Sequence, residues 1–180
     1  MLKKLLPFAL LALIVGALIA CGASDNTGTA VSSTNAKAAG SSPTASASSQ
    51  HFKVGQTVKV GDTWNVVVKS VKDSAGSQYQ QPTKGTFLEI QVQATNISNQ
   101  EQTLSSLADF TLRDDQGNSY TETFLTDDAG NAINAPDGKV ESGSPIQGTF
   151  VYDVPKATKF TFAFAPSLLS SGQTTWDVKS

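Results

Sequence analysis

The chain has one cysteine, one histidine and one methionine in 180 residues. A lone cysteine excludes an intrachain disulfide, so the fold must rest on its own apolar core. A lone histidine, His51, gives no Ser-His-Asp system with identifiable partners, and no G-x-S-x-G sequence marks a hydrolase nucleophile. Charge is also sparse. Asp, Glu, Lys and Arg make up 16% of the residues, and the longest run of Lys or Arg is Lys3-Lys4. Counted from residue 21 the formal charge is −4, because the total of −2 includes those two lysines. Binding to nucleic acid or to an anionic lipid surface calls for clustered cations and is disfavoured on this ground. No segment carries a sustained apolar stripe at i, i+3, i+4 and i+7, which argues against a helical fold.

What is present first is an N-terminal targeting pattern. Lys3 and Lys4 precede an apolar run over residues 5–20, broken only by Pro7 and Gly16. Crossing a bilayer takes about 20 apolar residues. This run is shorter and is followed by Gly22, Ala23 and Ser24, not by a basic stop-transfer cluster. It reads as a secretory signal. Leu18-Ile19-Ala20-Cys21 closes it, with bulky residues where an ordinary A-x-A-like site wants small ones. The motif resembles the lipobox of bacterial lipoproteins. That resemblance implies cleavage after Ala20, a diacylglyceryl group on the Cys21 thiol, and a place on the outer face of a bacterial cell membrane. It would also remove the liability of an exposed unpaired thiol.

Residues 22–50 are almost all Gly, Ala, Ser, Thr, Asn and Pro, with Val31 the one large aliphatic. Such a stretch buries too little apolar surface to offset its conformational entropy. It is expected to be a disordered tether, about 30 Å end to end as a coil and about 100 Å fully extended.

From His51 onward the pattern changes to short alternating runs. Trp64, Val66 and Val68 share one side of an extended segment, opposite Asn65 and Lys69. Leu88, Ile90, Val92 and Ala94 alternate with Glu89, Gln91, Gln93 and Thr95. Phe110 and Leu112, then Phe150, Tyr152 and Val154, then Phe160, Phe162 and Phe164 repeat at period two. Thr174, Trp176 and Val178 suggest a last strand. Turn residues separate these runs: Gly61-Asp62, Asp114-Asp115-Gln116-Gly117-Asn118, Asp137-Gly138 and Pro155-Lys156. Leu104, Leu107 and Ala108 suggest one helical turn, and residues 166–169 another. About seven short strands argue for an all-β protein, an antiparallel β-sandwich, with a small barrel as the alternative.

The segments Val54-Gly55-Gln56-Thr57-Val58, Phe87-Leu88-Glu89-Ile90-Gln91-Val92, Asp109-Phe110-Thr111-Leu112-Arg113-Asp114 and Gly148-Thr149-Phe150-Val151-Tyr152-Asp153-Val154-Pro155, with Asn96, Gly117 and Tyr120, carry a second resemblance. Together they resemble the immunoglobulin-like, telokin-like extracellular domain of unknown function found in Gram-positive-type lipoproteins, over about residues 52–165. The resemblance implies an immunoglobulin-like sandwich and no specific activity. The domain plan is then a lipoprotein signal peptide over 1–20, a lipidated Cys21 with its tether over 21–50, and the sandwich over 51–180.

Candidate sites are few. Asp114-Asp115-x-Gly117-Asn118 and Asp127-Asp128-x-Gly130-Asn131 are matching acidic turns. A calcium site needs about six to eight converging oxygens, and neither turn fits the EF-hand spacing. They are expected to be Asx-rich turns without a metal. His51 lies at the tether junction with no identifiable triad partner, and Ser142-Gly143-Ser144-Pro145 reads as a loop. No acid/base pair stands out. Trp64, Trp176 and the three-Phe stripe are expected in the core, with a ligand groove as the alternative. Tyr79, Tyr120 and Phe124 are the candidate surface aromatics, suited by their chemistry to a protein interface. Asn96-Ile97-Ser98 matches a glycosylation sequon incidentally. No catalytic residue, cofactor or metal ligand is assigned, and Cys21 is the one modified residue. The expectation is a lipid-anchored cell-surface binding module whose partner is an extracellular protein or cell-wall component, reached through the loops of 74–86 and 116–145. The alternatives are a structural envelope component or accessory subunit without its own ligand, and an enzyme whose site is not visible in sequence.

Overall fold

In a computed structural model of the chain, described for residues 28–31, 50–156, 159–166 and 172–179, two five-stranded sheets face one another across a shared apolar core. The first sheet has the order β1 (Gly28–Ala30), β3 (Thr57–Val60), β4 (Trp64–Ser74), β5 (Thr86–Asn96) and β12 (Pro145–Val154). The second has β2 (His51–Lys53), β14 (Thr174–Lys179), β13 (Phe160–Phe164), β7 (Phe110–Asp114) and β8 (Ser119–Tyr120). All pairings are antiparallel except β2 with β14. Two short pairs lie outside the sheets: β6 (Gln102–Leu104) with β11 (Gly138–Val140), and β9 (Leu125–Thr126) with β10 (Ala132–Ile133). The helical turn expected near Leu107 is α1, Ser106–Asp109, with the Ser105 hydroxyl accepting from the Ala108 N–H at 3.3 Å. The other, expected at 166–169, lies outside the described residues beyond Pro166.

The antiparallel β-sandwich expected from the alternation is what forms, and each stripe faces the core it was assigned to. Trp64, Val66, Val68, Leu88, Ile90, Val92 and Ala94 are buried from the first sheet. Phe110, Leu112, Phe160, Phe162, Phe164 and Trp176 meet them from the second. Aromatic rings stitch the layers together. Phe150 of β12 lies 4.7 Å from Phe110 and 5.1 Å from Phe162, centroid to centroid. Such pairs add about 0.5–1.5 kcal/mol each beyond the area they bury.

Two features depart from simple alternation. A bulge at Lys69 shifts the β4 register between Val68 and Ser70, so that Val71, three positions after Val68, packs against the core. On the outer face of β5 and β12, the β9–β10 hairpin buries a second apolar cluster of Phe87, Leu125 and Val151, with Ile133 packed against it. Val151, outward by alternation, is consequently buried, and so is Glu89, its cross-strand partner. The Glu89 carboxylate keeps a partner in the Lys72 ammonium at 2.9 Å.

Within the stretch read as a tether, residues 28–30 are not free. They pair with β3 in the register Gly28↔Val60, Thr29↔Lys59, Ala30↔Val58. The rest of that stretch up to residue 49, like the 1–20 segment and Cys21, lies outside the described residues, apart from Val31.

Candidate functional site: the loop pole

The register of the strands gives the sandwich two ends. At one, the 61–63 turn joins β3 to β4 and Trp64 pairs with Asn96. At the other, Ser74 pairs with Phe87, Val154 with Thr86, and Phe160 with Asp114. The long 75–85 connection and the 115–118 turn therefore emerge at the same pole. The Lys179 ammonium of β14 ties the two sheets there, meeting both carboxylate oxygens of Asp73 at 2.8 Å.

The two acidic turns share one geometry. In the first, Gly117 adopts φ +83° and its N–H donates to the Asp114 carbonyl at 3.1 Å, while the Asp114 N–H donates to the Asn118 carbonyl. In the second, Gly130 adopts φ +86° with the same pair of bonds between Asp127 and residues 130 and 131. Each is a tight turn closed by a left-handed residue, and only glycine takes that conformation without steric cost. The leading aspartates are fully engaged. Asp114 accepts from the Gln116 N–H, the Asn118 N–H, the Asn118 amide and the Tyr120 hydroxyl at 2.8–3.0 Å. Asp127 accepts from the Ala129 and Asn131 N–H groups and the Asn131 amide. The Asn118 side chain beside Asp114, and Asn131 beside Asp127, hold both carboxyls below the usual carboxylate range. A cation at either carboxylate would have to compete with these donors. Among the described residues no group of three or more His, Cys, Asp or Glu side chains is arranged to hold a metal.

The second turn also bridges the loops. The Gln78 N–H donates to Asp128 Oδ1 at 3.1 Å, and the Gln78 amide donates to the Asp128 carbonyl at 3.0 Å. The far end of the 75–85 loop is anchored on β12. The Thr83 and Lys84 N–H groups donate to the Asp153 carboxylate at 2.8 and 2.9 Å. Burial opposes ionisation of Asp153, but the Thr83 hydroxyl and these N–H donors outweigh it and hold the carboxyl low. Nothing in local sequence signals this contact, since Asp153 lies about 70 positions from the loop it holds.

The 75–85 loop and the strand ends beside it frame a cleft of about 570 Å³, lined by Asp73, Gln81, Thr86, Lys156 and Lys179 among others. The two segments that Gln78 and Asp128 join each carry an exposed aromatic. Tyr79 is 66% exposed in the first loop, and Phe124 is 81% exposed where the chain leaves β8 for β9. Tyr120, expected at the surface with them, is half-buried. Its ring meets Phe160 edge-on at 5.4 Å and its hydroxyl is spent on Asp114. The cleft offers hydrogen-bonding side chains and the Lys156 ammonium, the Lys179 ammonium being engaged by Asp73.

The remaining sequence candidates fall elsewhere. His51 Nδ1 lies 2.7 Å from Asp177 Oδ1, a strand-to-strand contact between β2 and β14. Ser142 donates to the Ser98 carbonyl at 2.6 Å and belongs to the opposite pole. The sequon residue Asn96 is fully buried. Its amide donates to the Gln100 and Val140 carbonyls, and its oxygen accepts from Ser98, which fixes that pole's loops. Trp64, Trp176, Phe160, Phe162 and Phe164 form core, as expected.

Solved structures share this architecture. The yjhA protein of Bacillus subtilis is 21% identical, with a TM-score of 0.54 over 72% of this chain and all of its own. A β-sandwich protein of Clostridium difficile 630 is 12% identical, with a TM-score of 0.50 over 76% of this chain and all of its own. The ycdA protein of Bacillus subtilis, described as a candidate lipoprotein, is 17% identical, with a TM-score of 0.55 over 66% of this chain. This chain spans only 37% of the length of ycdA. At these identities the likeness is one of fold. No curated protein matches the chain. Residues 52–175 match the family described as "Domain of unknown function (DUF4352)", and the chain belongs to that family.

Proposed function

We propose that this protein is a lipid-anchored module of the outer face of a bacterial cell membrane that binds an extracellular protein or cell-wall component through its loop pole. The observation that carries the reading is the joining of two distant loops by Gln78 and Asp128, with a cleft along the first of them and with Tyr79 and Phe124 exposed on the two joined segments. Exposed aromatics with donors around them are the composition of a recognition surface. The lipid anchor rests on Leu18-Ile19-Ala20-Cys21 and is supported by the description of ycdA as a candidate lipoprotein. Among the described residues no helix is long and apolar enough to cross a membrane. In this reading 1–20 is a signal peptide, 21–50 the acylated cysteine and its connector, and 51–180 the folded head. We read the head as a binding module and assign it no catalytic residue.

Two measurements test it. Mass spectrometry of the native N-terminal peptide is expected to show acyl chains on Cys21; an unmodified thiol would sink the anchor. A soluble chain starting at residue 22 is expected to capture an envelope component that Tyr79→Ser with Phe124→Ser does not. Capture unaffected by that double change would move binding away from the loop pole. No specific capture would favour a structural component or accessory subunit without a ligand of its own.

A further inference from the structure

The short strand β1 has a consequence for how the head stands on a membrane. Gly28 is buried against the sheet edge, and it fits there because it lacks a side chain. A Cβ at that position would lie 2.4 Å from Val58 Cγ1 and 2.6 Å from Thr174 Oγ1. The Val31 N–H extends the pairing by donating to the Thr57 carbonyl at 2.8 Å. The segment therefore docks in a defined register on the edge of β3, an edge that would otherwise present unpaired backbone groups.

β1 runs antiparallel to β3, so the chain enters it at the Val60 end, beside the 61–63 turn. That is the pole opposite the loop cleft. From Trp64 to Ser74, β4 alone spans about 33 Å at the usual rise per strand residue. Cys21 lies seven positions before Gly28, and seven extended residues reach at most about 25 Å. A connector measured from Cys21 to His51 would be thirty positions long and would reach about 100 Å.

We infer that Gly28–Ala30 is an intramolecular clip that sets the orientation of the head: the 61–63 turn faces the bilayer and the loop pole with its cleft faces outward. The inference rests on the lipid anchor proposed for Cys21. The occupant of the β3 edge is this chain's own segment, which pairs there residue by residue within the one chain. Orientation follows because the connector leaves the sheet at one end only, and it is too short to let the head turn over. With the clip released, the attachment point moves to the far end of a long connector, and the cleft loses its fixed outward aspect.

The test uses the acylated full chain in phosphatidylcholine–phosphatidylglycerol vesicles containing headgroup spin-labelled lipid. Fluorophores are placed on Asp62→Cys, in the turn, or on Gln116→Cys, at the loop pole. Quenching is expected to be several-fold stronger at 62 than at 116. Hydrogen exchange is expected to show a protected Val31 amide. Gly28→Val is expected to expose that amide, equalise the quenching at the two sites, and leave the thermal midpoint of the head within a few degrees. A Thr29→Cys/Lys59→Cys pair provides a second arm, because these residues face each other in the register. It is expected to form a disulfide within one chain and to retain the unequal quenching until reduced in the Gly28→Val background. An unprotected Val31 amide in the unsubstituted protein, equal quenching with Val31 protected, or a disulfide-linked dimer from strand exchange would each overturn the inference. A chain that does not associate with vesicles and carries an unmodified Cys21 refutes the anchor, and the orientation with it, while Val31 protection still reports strand docking separately.

Discussion

Gln78 and Asp128 are fifty positions apart in the chain and meet through two hydrogen bonds, one from the Gln78 backbone and one from its side chain. That contact joins the 75–85 loop to the turn of the β9–β10 hairpin. It couples the two segments that carry the exposed aromatics, so a ligand at one would sense the order of the other. Asp128→Ala is expected to raise hydrogen exchange across residues 77–80. The contact is solvent-exposed, so global stability is expected to fall by no more than about 1 kcal/mol. Unchanged exchange at Gln78 would show that the loops are ordered independently.

The two faces of β5 give an asymmetric pair of substitutions. Ile90 is fully buried, and Ile90→Asp puts an unpaired carboxylate into the core. A loss of more than about 4 kcal/mol is expected, enough to unfold a marginal domain. Gln91 points away and is half-buried, so Gln91→Asp is expected to cost about 1 kcal/mol or less. Equal losses in urea unfolding would mean that the register is wrong.

Glycine 148 tests the packing of the 134–136 segment on β12. A Cβ there would lie 2.5–2.6 Å from the backbone of Pro136, Ala135 and Asn134. Because those atoms are main chain, the clash cannot be relieved by a side-chain rotation. Gly148→Ala is expected to be destabilising by about 1–3 kcal/mol, in the range of overpacked sites. Gly143→Ala meets open space and suffers only its φ of +77°. That left-handed conformation costs roughly 1–2 kcal/mol for a residue with a side chain. A midpoint drop at 148 smaller than at 143 would contradict the close approach seen on β12.

Acid should act on stability in two opposite senses. Asp114, Asp127 and Asp153 have carboxyls held below their ordinary values, so the unfolded chain binds their protons more tightly. Their stabilisation is present above the unfolded value, about 3.9 for aspartate, and is lost as pH falls through the folded values. Glu122 and Asp109 behave the other way. Burial raises both, a hydrogen bond with Ser106 or Ser105 offsets part of the effect, and the nearby charge of Asp137 adds to the rise. The folded state holds those protons more tightly, so their contribution favours folding as pH falls through the folded values and disappears as pH rises. Carboxyl NMR titration is expected to place Glu122 and Asp109 above the three low aspartates. Glu122→Gln is expected to be neutral or stabilising at pH 7. A destabilised Glu122→Gln at that pH would reverse the sign.

Calcium at several millimolar is expected to leave the thermal midpoint unchanged, because N–H donors occupy the Asp114 and Asp127 carboxylates. A ligand at ten times its dissociation constant would add about 1.4 kcal/mol, a rise of a few degrees. A calcium-specific rise of that size, lost on Asp127→Asn with Asp128→Asn, would make metal binding the leading function.

The sequence by itself determined the sandwich and the faces of its strands. Period-two burial is a local property: each residue of Leu88, Ile90, Val92 and Ala94 reports its own side of the pleat. The acidic turns were legible for the same reason, since their donors and acceptors lie within about four residues of each other and glycine marks the left-handed position. Only the tertiary structure decided the burial of Val151, which depends on a hairpin laid over the outer face from elsewhere in the chain. It also decided the half-burial of Tyr120, the meeting of Gln78 with Asp128, and the capture of Gly28 at the β3 edge. Each of these joins residues separated by tens of positions. Alternation and turn chemistry carry no information about which distant surfaces will pack, because that choice is made by the shape of the assembled sheets and not by any local preference of the chain.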